Sequence, residues 1–124
     1  QKEFPQGKLV RVIKGSVFDV AVDLRKDSPT YKQWLGIYLS RENRNSLLIP
    51  RGCAHGFMSL TEDSIVSYLC DGEYNYESDT GINPFDEDIA IDWPIIDASQ
   101  AILSKRDKGL QSFVDFDLGN PFRL

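Results

Sequence analysis

Residues 8–25, KLVRVIKGSVFDVAVDLR, carry the strongest periodic pattern in the chain. Lys14 and Gly15 interrupt this pattern at its middle. From residue 17 onward one side of the pattern holds Phe18, Val20, Val22 and Leu24, and the other holds Val17, Asp19, Ala21 and Asp23. A period of two residues is typical of β-strands, and a glycine between two such runs indicates a turn. The stretch therefore predicts two strands joined by a tight turn.

Further short apolar runs follow, separated by polar, proline- or glycine-containing turns. They cover residues 34–40 (WLGIYLS), 46–49 (SLLI), 57–60 (FMSL), 64–70 (SIVSYLC) and 88–93 (DIAIDW). Short strands with a turn signal roughly every 8–12 residues are typical of antiparallel barrels and jelly rolls. We therefore predict one all-β domain over residues 1–124, with a short helix or irregular tail after residue 97.

Charge and cysteine content exclude several classes of protein. The net charge of -5 argues against a nucleic-acid-binding protein, which needs a basic stripe to neutralise phosphates. No apolar run approaches the ~20 residues of a membrane-spanning helix. Cys53 and Cys70 lie in apolar runs without paired spacing, so we predict two buried free thiols and a reducing, cytoplasmic environment.

The segment 49–57, IPRGCAHGF, contains His55, the only histidine in the sequence. Pro50 and Gly52 predict a sharp turn, after which the next strand directs His55 inward. This ring could be a base, a metal ligand, a binding contact or a packed side chain. Zinc and transition-metal sites need three or more suitable donors, which one histidine with scattered carboxylates supports poorly. We therefore predict no metal site.

Five other side chains have a functional and a structural interpretation. Asp19 lies between apolar residues in its strand, and we expect it to face a polar barrel interior, whereas Asp23 is expected to be solvated. Tyr68 could pack in the core or donate a proton. Tyr74 and Tyr76 could stack on a flat ring or cover the mouth of the barrel.

Several of these segments together resemble one enzyme family. VFDVAVDLR followed by SPT, IPRGCAHGF, Tyr68, Tyr74, GINPFDEDIAIDWP and LSKRD are similar, in order and spacing, to the dTDP-4-dehydrorhamnose 3,5-epimerase family. The resemblance implies a cupin-type jelly roll, a homodimer, and no metal or organic cofactor. It also implies conversion of dTDP-4-keto-6-deoxyglucose to dTDP-4-keto-L-rhamnose by inversion at carbons 3 and 5.

The resemblance also implies roles for individual residues. Lys8 would stabilise an enolate oxygen, and Tyr68 would donate the proton. Tyr74 would stack on the thymine base, and His55 would contact the substrate. Asp107 would orient a base histidine, which the family carries in an R-G-L-H-x-Q segment.

Two features of the sequence depart from the family pattern. Gln1 matches the glutamine of that segment, so the base histidine would fall two places before it; we expect a missing N-terminal segment and little activity from this chain alone. Asp79 and Arg106 stand where the family often has glutamate and lysine, at positions expected to contact substrate, which leaves the sugar and nucleotide open. The alternatives are a non-catalytic nucleotide-sugar-binding cupin, a related deoxysugar epimerase and a metal-dependent cupin oxygenase.

Overall fold

The computed structural model describes residues 1–95 and 97–124. Its strands are β1 (Lys8–Lys14), β2 (Ser16–Asp23), β3 (Trp34–Ser40), β4 (Ser46–Ile49), β5 (Cys53–Ser59) and β6 (Ile65–Cys70). The C-terminal part holds two 3₁₀ turns, Ala98–Gln100 and Asp107–Gly109, and one helix, α1 (Phe113–Leu118). The predicted all-β class is confirmed, as is the short helix in the tail.

Six strands form two antiparallel three-stranded sheets. The β1 sheet has the order β4-β1-β6, and the β2 sheet has the order β3-β2-β5. β1 and β2 are consecutive but do not pair, because the chain crosses from one sheet to the other at Gly15, whose φ is +74°. A Cβ at Gly15 would lie 2.3 Å from the hydroxyl of Thr61, so the crossing requires glycine.

The facing sides of the two sheets enclose an apolar core. It contains Val10 and Val12 from β1, Val17 from β2, Leu39 from β3 and Ile49 from β4. These residues lie at alternate positions of their strands, as the period of two predicts. The core occupies one end of the space between the sheets, and the polar residues described below occupy the rest.

The C-terminal tail covers the outer side of the β2 sheet. Phe18, Val20 and Val22 pack there against Phe113 and Phe116 of α1. The helix begins with Ser112 as its N-cap, whose side chain accepts a hydrogen bond from the Asp115 backbone. The strand β2 is therefore buried on both faces, one against the β1 sheet and one against the tail.

The predicted strand at residues 88–93 is wrong. Its apolar residues Ile89, Ile91 and Trp93 pack on the outer side of the β2 sheet without pairing to it as a strand. The Asp86 carboxylate accepts hydrogen bonds from the backbone of Asp88 and Ile89, which closes a turn there. These alternating apolar residues cover the β2 sheet without joining it, because the backbone here makes its hydrogen bonds within the segment.

Two further predictions need correction. Asp23 is buried, because its carboxylate accepts hydrogen bonds from Arg25 Nε and Nη2, both at 2.8 Å, and from the hydroxyls of Ser28 and Thr30. These contacts, led by those of Arg25, hold the pKa of Asp23 well below its usual range. The two thiols were predicted to be buried, but Cys70 is exposed at the end of β6 and Cys53 is only partly buried.

Candidate functional site

Four of the predicted site residues meet between the two sheets. Lys8 lies on the same side of β1 as the buried Val10 and Val12, so it faces the β2 sheet. Tyr68 lies directly opposite Val10 on β6 and therefore shares that side. On the β2 sheet, Asp19 and His55 occupy inward positions of β2 and β5. We call these four residues, Lys8, Asp19, His55 and Tyr68, the inner cluster.

Asp19 fixes the orientation of His55. Its side chain is 0% exposed, and its Oδ1 lies 2.8 Å from Nε2 of His55. This contact occupies Nε2 and leaves Nδ1 as the ring nitrogen free of Asp19. Oδ2 of Asp19 is buried without a hydrogen-bond partner among the described residues. The expectation of an inward-facing Asp19 agrees with this geometry.

Lys8 and Tyr68 place a cation and a hydroxyl at the open end of the inner cluster. Lys8 Nζ lies 5.7 Å from the centroid of the Tyr68 ring. The His55 ring meets the same tyrosine edge-on, with 6.4 Å between the two centroids. Tyr68 is 53% exposed, so its ring is accessible to a ligand. An ammonium group beside a phenol can stabilise a developing oxyanion and supply a proton.

The other four predicted residues form a second group, which we call the rim cluster: Tyr74, Asp79, Arg106 and Asp107. Oδ2 of Asp79 accepts a hydrogen bond from the Tyr74 hydroxyl at 3.1 Å and lies 2.9 Å from Nη2 of Arg106. Asp107 joins the cluster only through Arg106, with 3.5 Å between its Oδ1 and Nη1. Tyr74 and Arg106 are exposed, as expected of groups that meet a ligand at a surface.

The loop after β6 connects the two clusters. Lys8 at the start of β1 pairs with Cys70 at the end of β6, and the loop that follows carries Tyr74 and Asp79. The Gln1 side chain also accepts a hydrogen bond from the Asn75 backbone at 2.7 Å, which ties this residue to the loop that carries Tyr74. The inner and rim clusters thus border one region at the same end of the molecule.

An ion pair beside this region was not among the predicted site residues. Nε of Arg51 lies 2.9 Å from Oδ2 of Asp71, and the other oxygen of Asp71 accepts the Gly7 N–H at 2.7 Å. Next to it is a cavity of about 380 Å³, lined in part by Phe4, Arg51 and Tyr74. The strand register brings Arg51 and Asp71 together, because Ile49 and Cys70 both lie opposite Lys8. Sequence spacing alone carries no sign of that register.

The described residues hold neither a metal-ligand cluster nor a membrane-spanning helix. In residues 1–95 and 97–124, no three histidine, cysteine, aspartate or glutamate side chains converge as metal ligands would. None of the helices in the same part of the chain has the length and apolarity needed to cross a bilayer.

The fold and the inner cluster define a cupin-type jelly roll with acid–base groups between its sheets. The sequence profile of the dTDP-4-dehydrorhamnose 3,5-epimerase family matches residues 1–115. This chain belongs to that family. The resemblance noted in the sequence is therefore confirmed.

Individual relatives show how far the similarity extends. The epimerase of Methanothermobacter thermautotrophicus is 54% identical over 108 residues, which are 87% of this chain and 58% of the relative. The epimerase structure from Elizabethkingia anophelis has a TM-score of 0.89 and 42% identity, covering 94% of this chain and 63% of that one. The Legionella pneumophila dTDP-6-deoxy-D-glucose-3,5-epimerase, solved with dTDP-4-keto-L-rhamnose, has a TM-score of 0.89 and 41% identity. The match covers 100% of this chain and 66% of the Legionella chain. This chain thus spans about three-fifths of the length of these relatives.

Proposed function

We propose that this protein inverts carbons 3 and 5 of dTDP-4-keto-6-deoxyglucose to form dTDP-4-keto-L-rhamnose. The observation that carries the proposal is the inner cluster, in which a lysine ammonium, a half-exposed tyrosine and an oriented histidine face one space. Family membership and the dTDP-sugar in the Legionella structure support the choice of substrate.

The reaction requires groups of these kinds. A hydrogen next to a ketone is weakly acidic, so its removal needs a positioned base and stabilisation of the enolate oxygen. Lys8 supplies the positive charge beside that oxygen. Inversion then needs a proton delivered to the opposite face of the ring, and Tyr68 donates it from its hydroxyl.

His55 acts in this proposal as a substrate contact. Because Nε2 is occupied by Oδ1 of Asp19, Nδ1 is the ring nitrogen left to form a hydrogen bond with a sugar hydroxyl. The resemblance assigns the base to a histidine of an R-G-L-H-x-Q segment, oriented by the aspartate that Asp107 matches. Asp107 contacts Arg106 at the rim, next to the region that both clusters border.

Proton exchange with solvent tests the proposed reaction. The full-length protein is incubated with dTDP-4-keto-6-deoxyglucose in D₂O, and deuterium is located in the sugar by NMR. We expect deuterium at carbons 3 and 5, together with the inverted product. Exchange at one carbon would indicate an epimerase of another deoxysugar route. Nucleotide-sugar binding without any exchange would contradict the proposal and support a non-catalytic binding protein.

We also propose that the protein is a cytoplasmic homodimer. The free thiols of Cys53 and Cys70 fit a reducing compartment. The outer side of the β1 sheet exposes Leu48, Leu9 and Leu69 in one row across three strands, and contiguous apolar surface of this kind is typical of interaction sites. Light scattering of the eluted full-length protein should give the mass of two chains, reduced to one chain by Leu9→Lys. A wild-type mass of one chain would contradict the dimer.

A further inference from the structure

We propose that Asp79 and Arg106 are positioning residues that hold the Tyr74 ring ready to stack on the base of the nucleotide. This inference rests on the proposed function, in which Tyr74 stacks on thymine. It adds a determinant of nucleotide affinity that acts through the orientation of Tyr74. One carboxylate oxygen, Oδ2 of Asp79, contacts both Tyr74 and Arg106.

Oδ2 of Asp79 accepts a hydrogen bond from the Tyr74 hydroxyl at 3.1 Å and forms an ion pair with Nη2 of Arg106 at 2.9 Å. The Asp79 side chain is 23% exposed, whereas Tyr74 is 64% exposed. The better-protected carboxylate therefore anchors the more mobile ring. The carboxylate of Asp79 thus links the Arg106 guanidinium to the Tyr74 hydroxyl.

The backbone fixes the distance between Asp79 and Arg106, which lie far apart in sequence. Arg106 Nη2 also donates to the Thr80 carbonyl at 3.2 Å, one residue after Asp79. Their two segments pair through a bridge between Ile82 and Gln111, and the Gln111 side chain donates to the Thr80 hydroxyl at 3.2 Å. The guanidinium is thus held against the loop by its ion pair with Asp79 and its hydrogen bond to Thr80.

Fixing the ring before binding lowers the cost of stacking. An exposed tyrosine that is free to rotate loses side-chain entropy when a base stacks on it, and this cost falls when the ring is already held. Holding the ring by its hydroxyl leaves both aromatic faces free of the contact. Desolvation, together with the hydrogen bond to Asp79, raises the pKa of Tyr74.

A double-mutant cycle with Tyr74→Phe and Asp79→Ala tests the inference. Binding of dTDP to the full-length protein is measured by calorimetry, and kcat and KM are measured with the keto-sugar. Each single variant should raise the Kd of dTDP roughly threefold to tenfold, which corresponds to the loss of one hydrogen bond. The double variant should bind no more weakly than the weaker single variant. KM should rise with Kd while kcat changes less than about twofold, since stacking lies far from the reacting carbons.

Two further variants separate positioning from a general effect on the loop. Asp79→Glu keeps the carboxylate and should restore most of the affinity lost in Asp79→Ala. Tyr76→Phe is the matched control, because Tyr76 lies in the same loop, is 82% exposed, and its hydroxyl has no hydrogen-bond partner among the described residues. Its Kd should equal that of the wild type.

The outcomes distinguish this inference from the proposed function. Wild-type protein that fails to bind dTDP would contradict both. Wild-type binding combined with independent, multiplicative effects of the two substitutions would contradict the positioning role alone. So would a Tyr74→Phe variant that binds dTDP as tightly as the wild type.

Discussion

At the scale of single residues, two aspartates on one strand have different roles although the sequence pattern treats them alike. Asp19 and Asp23 lie on the same side of β2, and both are buried. Asp19 is directed to a histidine between the sheets, whereas Asp23 binds Arg25 and the hydroxyls of the following loop. Alternation predicted the direction of Asp19 correctly. It could not predict the partners of Asp23, because they belong to a loop with no period.

Asp23→Asn should destabilise the fold in a pH-dependent way. Removing the charge leaves Arg25 without its partner and should lower the free energy of unfolding by about 2–3 kcal/mol at pH 7. Because folding lowers the pKa of Asp23, its stabilisation is complete above the unfolded value of about 3.9 and is lost as the pH falls toward the folded value. Urea unfolding of both proteins between pH 7 and pH 3 should therefore show a difference that shrinks below pH 4. A difference that stays constant to pH 3 would contradict this role.

At the scale of secondary-structure elements, the period of two predicted where most strands lie but not how they pair into sheets. The runs at residues 8–25, 34–40, 46–49 and 64–70 all correspond to strands. Their pairing depends on register between distant segments, such as β1 with β6, and local patterns carry no such information. The run at residues 88–93 shows the same alternation, yet it packs over the β2 sheet without forming a strand. The Asp86 carboxylate accepts the hydrogen bonds of the first backbone N–H groups of this run.

The contact between β2 and β3 depends on a glycine. A Cβ at Gly36 would lie 2.2 Å from Cζ of Phe18, so the ring must move before any larger side chain fits. Gly36→Ala should therefore lower the free energy of unfolding by about 1–3 kcal/mol, as overpacking of a core does. Gly109→Ala is the control, because its Cβ would meet nothing within 4 Å. Denaturant unfolding measures both, and equal stability of the two variants would contradict the steric argument.

At the scale of the whole molecule, both sheets contribute to the inner cluster. The strand β2, buried on both faces, carries Asp19 beside His55 of β5, whereas the β1 sheet brings Lys8 and Tyr68 across the gap. The sequence indicated the chemical character of these residues and, through the resemblance, their roles. That Lys8 and Tyr68 would lie together follows only from the register of β1 with β6.

The contacts within the rim cluster also could not be predicted from the sequence. Tyr74, Asp79 and Arg106 were predicted one by one as substrate contacts, on positions far apart in sequence. In the structure, Tyr74 and Arg106 both contact Oδ2 of Asp79, because the segments of Thr80 and Gln111 lie side by side. A contact that acts through a second residue leaves no signal in sequence spacing.

We propose that the inner cluster delivers a proton from Tyr68 to the sugar face opposite the base. Tyr68→Phe in the full-length protein, assayed in D₂O, tests this proton delivery. Tyr38→Phe is the control, because Tyr38 is similarly exposed, at 57% against 53%, but lies on the outer side of the β2 sheet. Tyr68→Phe should still exchange deuterium into the sugar, because the base is intact. Its rate of forming the inverted product should fall about 10²- to 10⁴-fold. Inversion by Tyr68→Phe at the rate of the wild type and of Tyr38→Phe would contradict it.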